Sequence, residues 1–232
     1  MYKGNKIILL VPAYNEEGKI GEVIKKVPKN LIDETVVVDD GSTDNTAKEI
    51  TGNGASIIKF SQNKGLGVAF KALFDYAKEK NYDFAIIVGG DNQDDPRESN
   101  KFLTALIDEG CDIVQGSRYL GKTEDMPFIR WITTKAYSVF FSIVARKWVT
   151  DASTGFKGFK VSLLNEIDLS ANWLDAKYGI EQYFLMQVIK KGFKFKEVPV
   201  TKYFPIRQGY SKMKLVKDWY KMCRPIVKSV FK

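Results

Sequence analysis

Histidine is absent from all 232 residues. That excludes Ser-His-Asp hydrolysis, Cys-His proteolysis, histidine-ligated zinc and every mechanism with an imidazole base. Carboxylates, lysines and arginines must carry any chemistry. Cysteine is scarce as well: Cys111 and Cys223 stand far apart with no metal-ligand spacing around either, which fits a reduced, cytosolic compartment. Long apolar runs are also missing. A membrane-crossing helix needs about 20 apolar residues, and the stretch from Ala136 to Ala145 is broken at once by Arg146 and Lys147. The chain is expected to lie on a bilayer but not to cross one. No low-complexity stretch, internal repeat or secretory signal stands out, and the length suits one catalytic domain.

The formal net charge of +8 is unevenly placed. Residues 202 to 232 hold nine Lys or Arg against the single acid Asp218, a surplus equal to that of the whole chain. A neutral core with a basic end argues against nucleic acid as a partner and suits anionic headgroups or phosphates. Within that end Leu215, Trp219, Met222, Ile226 and Val230 recur at helical spacing with lysines on the other face. Residues 213–232 therefore read as a basic amphipathic helix beside a domain spanning 1–212, either on a membrane surface or packed on the domain.

The remaining chain alternates strand and helix patterns. Strands are expected at Ile7 to Val11, Thr35 to Asp39, Ser56 to Phe60, Asp83 to Val88 and Asp112 to Gln115. Helices are expected at Glu16 to Val27, after a Ser42/Thr43 cap, at Leu66 to Lys80 and from Pro96 to about Glu109. From Gly116 the pattern loosens into a charged, Gly-rich loop, then an apolar stretch from Ala136 to Val149. A helix near Tyr178 to Lys191 and a strand-like Lys196 to Lys202 follow. The fold class is α/β with a mostly parallel sheet flanked by helices.

Two apolar runs end in acids, Val36-Val37-Val38-Asp39-Asp40 and Ile86-Ile87-Val88-Gly89-Gly90-Asp91. Open α/β sheets bind ligands outside the carboxyl ends of their strands, so acids delivered there suit a nucleotide and a divalent cation. Asp91 and Gln93 offer hard oxygen ligands to Mg²⁺ or Mn²⁺. Asp39 and Asp40 offer acceptors to base N–H and ribose hydroxyls, although Asp-Gly-Ser-Thr-Asp also reads as an ordinary turn with a cap. Pro12, Ala13, Tyr14 and Glu16 close the first strand with an aromatic face and an acid. Lys64 and Gly67 sit in a glycine-bearing run before a helix, where a backbone can approach a phosphate.

Taken in order, Val11-Pro12-Ala13-Tyr14-Asn15-Glu16, Val38-Asp39-Asp40-Gly41-Ser42-Thr43-Asp44, Asn63-Lys64-Gly65-Leu66-Gly67 and Asp91-Asn92-Gln93 resemble the family-2 glycosyltransferases of GT-A fold. Gly116-Ser117-Arg118-Tyr119, Asp151 to Lys157, Glu197-Val198-Pro199-Val200 and Arg207 to Lys212 extend the likeness to the dolichyl-phosphate mannose synthase branch, over about residues 7 to 212. The resemblance implies inverting transfer from a nucleotide diphosphate sugar to a polyprenyl phosphate, with peripheral attachment at the cytosolic membrane face. It also implies an Asp-x-Asp-x-Gln metal pattern, in which Asp91 and Gln93 match the last two ligands and Gly89 replaces the first acid. Arg118, Arg130, Arg207 and Lys212 become candidates for holding donor or acceptor phosphates, since arginine forks fit phosphate oxygens.

A phosphate acceptor is already anionic near neutral pH and needs no base. A saccharide hydroxyl does need one, and Glu181 is the best candidate, although Gln182 stands where hydroxyl-acting relatives often carry a second acid. A third reading, a weakly catalytic nucleotide-sugar binding module, follows from Gly89.

Overall fold

The computed structural model describes residues 1–175, 179–204, 223–224 and 226–228. Among the described residues seven strands form one sheet in the order β3-β2-β1-β4-β6-β5-β7. These are β1 Ile7–Ala13, β2 Glu34–Asp39, β3 Ser56–Lys59, β4 Phe84–Ile87, β5 Ile113–Glu124, β6 Lys157–Lys160 and β7 Phe195–Tyr203. All neighbours run parallel except β6, which is antiparallel to both β4 and β5. Strand order reverses at β1, flanked by β2 and β4. The carboxyl ends of those three strands therefore open a crevice at the switch point, the usual ligand position in such sheets.

The helices are α1 Ile20–Lys25, α2 Thr46–Gly52, α3 Leu66–Glu79, α4 Ser99–Leu103, α5 Phe128–Ala145, α6 Leu163–Glu166 and α7 Ile180–Lys190. Alternation along β1 sorts them into two layers, because successive strand residues point to opposite faces. Ile7, Leu9 and Val11 pack with Ile20, Ile50 and Phe102 from α1, α2 and α4. Ile8 and Leu10 pack with Phe70, Phe141 and Phe184 from α3, α5 and α7. In that second layer Phe159 of β6 lies edge-on to both Phe74, at 5.6 Å, and Phe184, at 5.1 Å. Among the described residues no helix is long and apolar enough to cross a membrane.

The first five strands and their helices fall near where the pattern puts them, although α1 covers only Ile20–Lys25 of the expected Glu16 to Val27, and four further corrections apply. Ser42 and Thr43 do not cap α2: the Ser42 hydroxyl accepts from the Asn15 N–H at 2.9 Å, and the helix begins at Thr46, whose N–H donates to Asp44 at 3.0 Å. β5 continues through the charged stretch read as loop, because its last residues pair with β7 after a register shift between Ser117 and Lys122. Gly121 permits this: a Cβ there would meet the Val200 carbonyl oxygen at 2.2 Å. α5 starts at Phe128, a full two turns before the apolar stretch expected from Ala136. β6 was not anticipated, since four residues between a loop and a turn carry too little periodicity. The expected loop at 205–212 and most of the 213–232 helix lie outside the described residues.

Candidate active site

Two loops at the ends of β1 and β2 are laced together. The Thr43 N–H donates to Asn15 Oδ1 at 2.9 Å, and the Glu16 N–H donates to Thr46 Oγ1 at 2.8 Å. The lacing fixes Pro12, Ala13, Tyr14 and Glu16 beside β2, and the buried Glu16 carboxylate accepts from Lys19 Nζ at 3.0 Å. Asp39 is fully buried at the end of β2. Its Oδ1 accepts from the Ser42 N–H at 2.9 Å, while its Oδ2 has no hydrogen-bond partner. A buried acceptor left unmet costs about 1–3 kcal/mol, so this oxygen calls for a donor from a ligand.

Asp40 does different work. Its two oxygens accept the N–H groups of Lys64 at 2.7 Å and Gly65 at 3.0 Å, anchoring the glycine loop that starts α3. The turn between them depends on Gly41, at φ 72°, where a Cβ would meet the Gln62 carbonyl carbon at 2.3 Å. Gly67 is buried in the first turn of α3, and the exposed Lys64 ammonium lies 4.6 Å from the Phe60 ring centre.

The loop after β4 carries the acids. Half-buried Asp91 accepts the Gln93 N–H at 3.1 Å, and burial pushes its carboxyl above the usual carboxylate range, with Lys202 opposing and Asp94 reinforcing the shift. Asn92, at φ 60°, accepts from Lys26 Nζ at 2.8 Å. Asp95 caps the helical turn at Pro96 by accepting the Arg97 N–H at 3.0 Å. Asp94 is buried and accepts from Lys202 Nζ on both oxygens, each at 2.8 Å.

Opposite these acids stands a buried cation network. Arg118 of β5 is 3% exposed and forks onto Asp151, with Nε at 2.6 Å and Nη2 at 3.1 Å, and also donates to Ser153 at 3.0 Å. Burial alone would raise the Asp151 carboxyl, but the guanidinium holds it below the usual range. Glu197 of β7 secures the loop by accepting the N–H groups of Thr150, at 2.8 Å, and Asp151, at 3.0 Å. Lys157 is buried, donates to the Thr154 carbonyl at 2.7 Å and lies 3.4 Å from Glu181 Oε1. Burial draws the Lys157 ammonium below its usual range against the pull of Glu181. A Cβ on Gly155 would also meet Glu181 Oε1, at 3.4 Å, so Glu181 lies against that glycine.

These parts enclose a cleft of about 170 Å³. Asp91, Gln93, Asp94 and Lys202 line one side, Arg118, Ser153 and Gly155 another, and Arg130, Thr133, Thr134 and Tyr137 of α5 a third. Typical small-molecule sites occupy about 300–1,000 Å³, so the cleft by itself is smaller than such a site. Arg130 lies with its guanidinium carbon 5.0 Å from the Phe204 ring centre.

Of the residues singled out in the sequence, Asp91, Gln93, Arg118 and Arg130 share this cleft, and the β1 and β2 loop residues flank it. Glu181 lies against Gly155 and is not among the residues that line the cleft. Arg207 and Lys212 lie outside the described residues. Lys202, Asp94, Asp151, Lys157 and Glu197 were given no role in the site. Lys202 had a readable signal, for it continues the buried alternation of Val198 and Val200 along β7.

For a divalent cation, Asp91 and Gln93 supply one carboxylate and one amide oxygen side by side in the cleft. Among the described residues no group of three or more Asp, Glu, Cys or His side chains could hold a metal. A Cβ on Gly89 would stand 3.1 Å from Asp91 Oδ1, which is where an acid at that position would add a ligand. Mg²⁺ commonly uses one or two protein carboxylates and completes its shell with phosphate oxygens and water. The two side chains fit that pattern.

The model for glycosyl transferase family 2 matches residues 8–168. The polyprenol monophosphomannose synthase of Mycolicibacterium smegmatis is 29% identical over 90% of this chain and 81% of its own length. The UDP-N-acetylglucosamine–dolichyl-phosphate N-acetylglucosaminyltransferase of Methanococcus voltae is 29% identical over 84% of each chain. Among solved structures, the glucosyl-3-phosphoglycerate synthase of Mycobacterium tuberculosis, in complex with Mn²⁺, UDP and phosphoglyceric acid, superimposes with a TM-score of 0.75 at 19% identity, over 98% of this chain and 78% of that one. That likeness confirms the GT-A fold. With the family model covering most of the sheet and the loops that build the cleft, the chain belongs to glycosyltransferase family 2.

Proposed function

We propose that this glycosyltransferase moves a sugar from a UDP- or GDP-linked donor to a polyprenyl phosphate, with inversion, at the cytosolic face of a membrane. The observation that carries the reading is the setting of Glu181. It lies 3.4 Å from buried Lys157 and against Gly155 without lining the cleft, while the cleft itself presents Arg118 and Arg130. An arginine-lined cleft in a chain without histidine suits a nucleophile that is already anionic. The relatives named for polyprenol and dolichyl phosphates support the same acceptor class.

In this reading the nucleobase donates to the unmet Oδ2 of Asp39 and rests against the Pro12-Ala13-Tyr14 turn. Asp91 and Gln93 hold Mg²⁺ or Mn²⁺, which when bound neutralises charge on the departing diphosphate. Arg118 and Arg130 orient phosphate oxygens, joined by Arg207 and Lys212 from the segment that resembles the family's phosphate-binding run. An acceptor phosphate oxygen attacks the anomeric carbon in line. Its electron pair forms the new C–O bond as the bond to the diphosphate breaks, and the nucleoside diphosphate leaves with that pair. A single displacement inverts the anomeric centre, and no proton has to move. Segment 213–232 would add cationic contact with the membrane.

The test is transfer of radiolabel from a panel of UDP- and GDP-sugars, with Mn²⁺ or Mg²⁺, into organic-extractable product when undecaprenyl or dolichyl phosphate is supplied. Label in the lipid phase identifies both donor and acceptor class. Donor hydrolysis with no lipid label refutes the acceptor. The second reading, a saccharide hydroxyl acceptor, draws on Glu181 Oε1, which is buried without a hydrogen-bond partner. It requires Glu181→Gln to abolish turnover with donor binding intact.

A further inference from the structure

The outer face of α5 is apolar along its whole length. Ile129, Ile132, Ala136, Val139 and Ile143 recur every three or four residues and are all exposed, Ile143 at 70%. Phe128, at 75%, and Trp131 crown the N-terminal end, and Trp148, at 66%, stands just beyond the C-terminal end. At about 1.5 Å per residue the 18-residue helix carries this stripe for roughly 27 Å. Soluble surfaces seldom expose a continuous apolar band of this kind without a partner.

The helix is otherwise satisfied inward. Ser138 and Ser142 donate back to the carbonyls of Thr134, at 3.0 Å, and Ser138, at 2.7 Å. Tyr137 and Phe141 fill the core. Its polar hydroxyls are thus turned away from the stripe.

Charge selects the occupant. From Met126 through Val149 there is no acid, while Arg130, Lys135, Arg146 and Lys147 are cationic. A second copy pairing the same face with itself would bring those cations together. The described part of the chain's own C-terminal segment is placed inward, with Ile226 buried in the cluster that holds Tyr137 and Phe141 and the Lys228 ammonium 4.8 Å from the Trp173 ring centre. An anionic bilayer surface meets attraction, and its interfacial zone favours indole rings such as those of Trp131 and Trp148. The stripe also adjoins the cleft, since Arg130, Thr133 and Thr134 line it from the neighbouring face of the same helix.

We infer that α5 lies in the interface of an anionic bilayer with its stripe inserted, which sets the mouth of the cleft at the level of lipid phosphates. The inference deepens the polyprenyl-phosphate reading and rests on it for its purpose. It assigns docking to an element inside the catalytic domain, independently of the basic C-terminal segment.

The test compares wild type with Ile132→Glu/Val139→Glu/Ile143→Glu in sedimentation with vesicles of equimolar phosphatidylcholine and phosphatidylglycerol. None of these positions lines the cleft. The expected result is a loss of vesicle binding of at least about ten-fold, with unchanged circular dichroism and unchanged transfer to a water-soluble short-chain prenyl phosphate. A fluorophore on Ile143→Cys, in a Cys223→Ser background, should shift to the blue with vesicles, whereas one on Lys48→Cys of α2, on the opposite layer, should not. Full vesicle binding by the triple variant overturns the inference. So does a wild-type dimer that the triple variant converts to monomer, which would make the occupant a second copy. A probe at position 143 already shielded from aqueous quencher in lipid-free monomer overturns it too, since the chain would then cover its own face. Vesicle binding lost in the triple variant, with no transfer by wild type to any prenyl phosphate, supports the surface while refuting the acceptor reading.

Discussion

Replacing Asp151 by asparagine removes the counter-charge of Arg118 and changes almost nothing in shape. Both partners are nearly inaccessible, at 0% and 3%, and the aspartate accepts the backbone N–H of Arg118 at 3.1 Å as well as its guanidinium. Breaking a buried pair by removing one partner costs about 3–5 kcal/mol, and asparagine keeps one acceptor oxygen, so the lower end applies. For a domain of this size about 3 kcal/mol lowers Tm by roughly 6–12 °C. Arg118→Met/Asp151→Asn should recover much of that loss, with a coupling of at least about 1 kcal/mol in the double-mutant cycle. Because the same guanidinium lines the cleft, Asp151→Asn should also lower turnover by about 10- to 100-fold through misplacement. The pH dependence has a fixed sign. Asp151 has a folded pKa below its unfolded value of about 3.9, so its stabilisation is complete above that value and is lost as pH falls through the lower folded value. The acid limb of wild-type stability should therefore be steeper than that of Asp151→Asn. Urea melts across pH read all of these quantities. A penalty under about 1 kcal/mol, or strict additivity in the double variant, refutes the claim that the pair organises the site.

Gly89→Asp places a carboxylate beside Asp91 Oδ1. It should lower Tm without metal through like-charge repulsion and tighten Mn²⁺ binding by about ten-fold or more, both measurable by calorimetry with UDP present; unchanged Mn²⁺ affinity would count against a metal at Asp91. Glu181→Gln leaves buried Lys157 without its counter-charge and should cost about 3 kcal/mol in denaturant melts while changing transfer to a phosphate acceptor by less than about ten-fold. Phe184→Ala opens the cluster with Phe74 and Phe159 and should cost about 3–5 kcal/mol, with donor binding by calorimetry unaffected at a temperature where the variant is folded.

The half of the fold that was legible in the sequence is the half where each element carries its own period. β1, β2 and β4 are buried on both faces and read as apolar runs, and α3 repeats its buried Phe70, Leu73, Phe74 and Ala77 at helical spacing. The second half is held by pairing that single residues do not announce. β6 has four residues and joins β4 to β5 by antiparallel bonds, and the charged end of β5 is strand only because β7 lies alongside it. α5 was misplaced because its exposed first turns are as apolar as its buried ones, so amphipathic contrast is weak there.

The site divides the same way. Acids at strand ends announce themselves locally, so Asp39 and Asp91, with Gln93 two residues on, can be singled out from the sequence; the partners that surround them come from distant strands and cannot. Asp94 meets Lys202 from more than a hundred positions away, and Arg118 meets Asp151 across a loop that Glu197 secures from β7. Those partners decide the electrostatics of the cleft. Lys202 pairs with Asp94 and Asp151 pairs with Arg118, while position 89 carries no acid beside Asp91. An additional carboxylate there would bias the empty cleft toward a free cation. Without it, a divalent ion is held best when a diphosphate supplies the missing oxygens, so Mn²⁺ and donor should bind cooperatively rather than in sequence. Calorimetric titration of Mn²⁺ with and without UDP reads this directly, and equal affinity in both titrations would show that the charge balance drawn from these pairs is wrong.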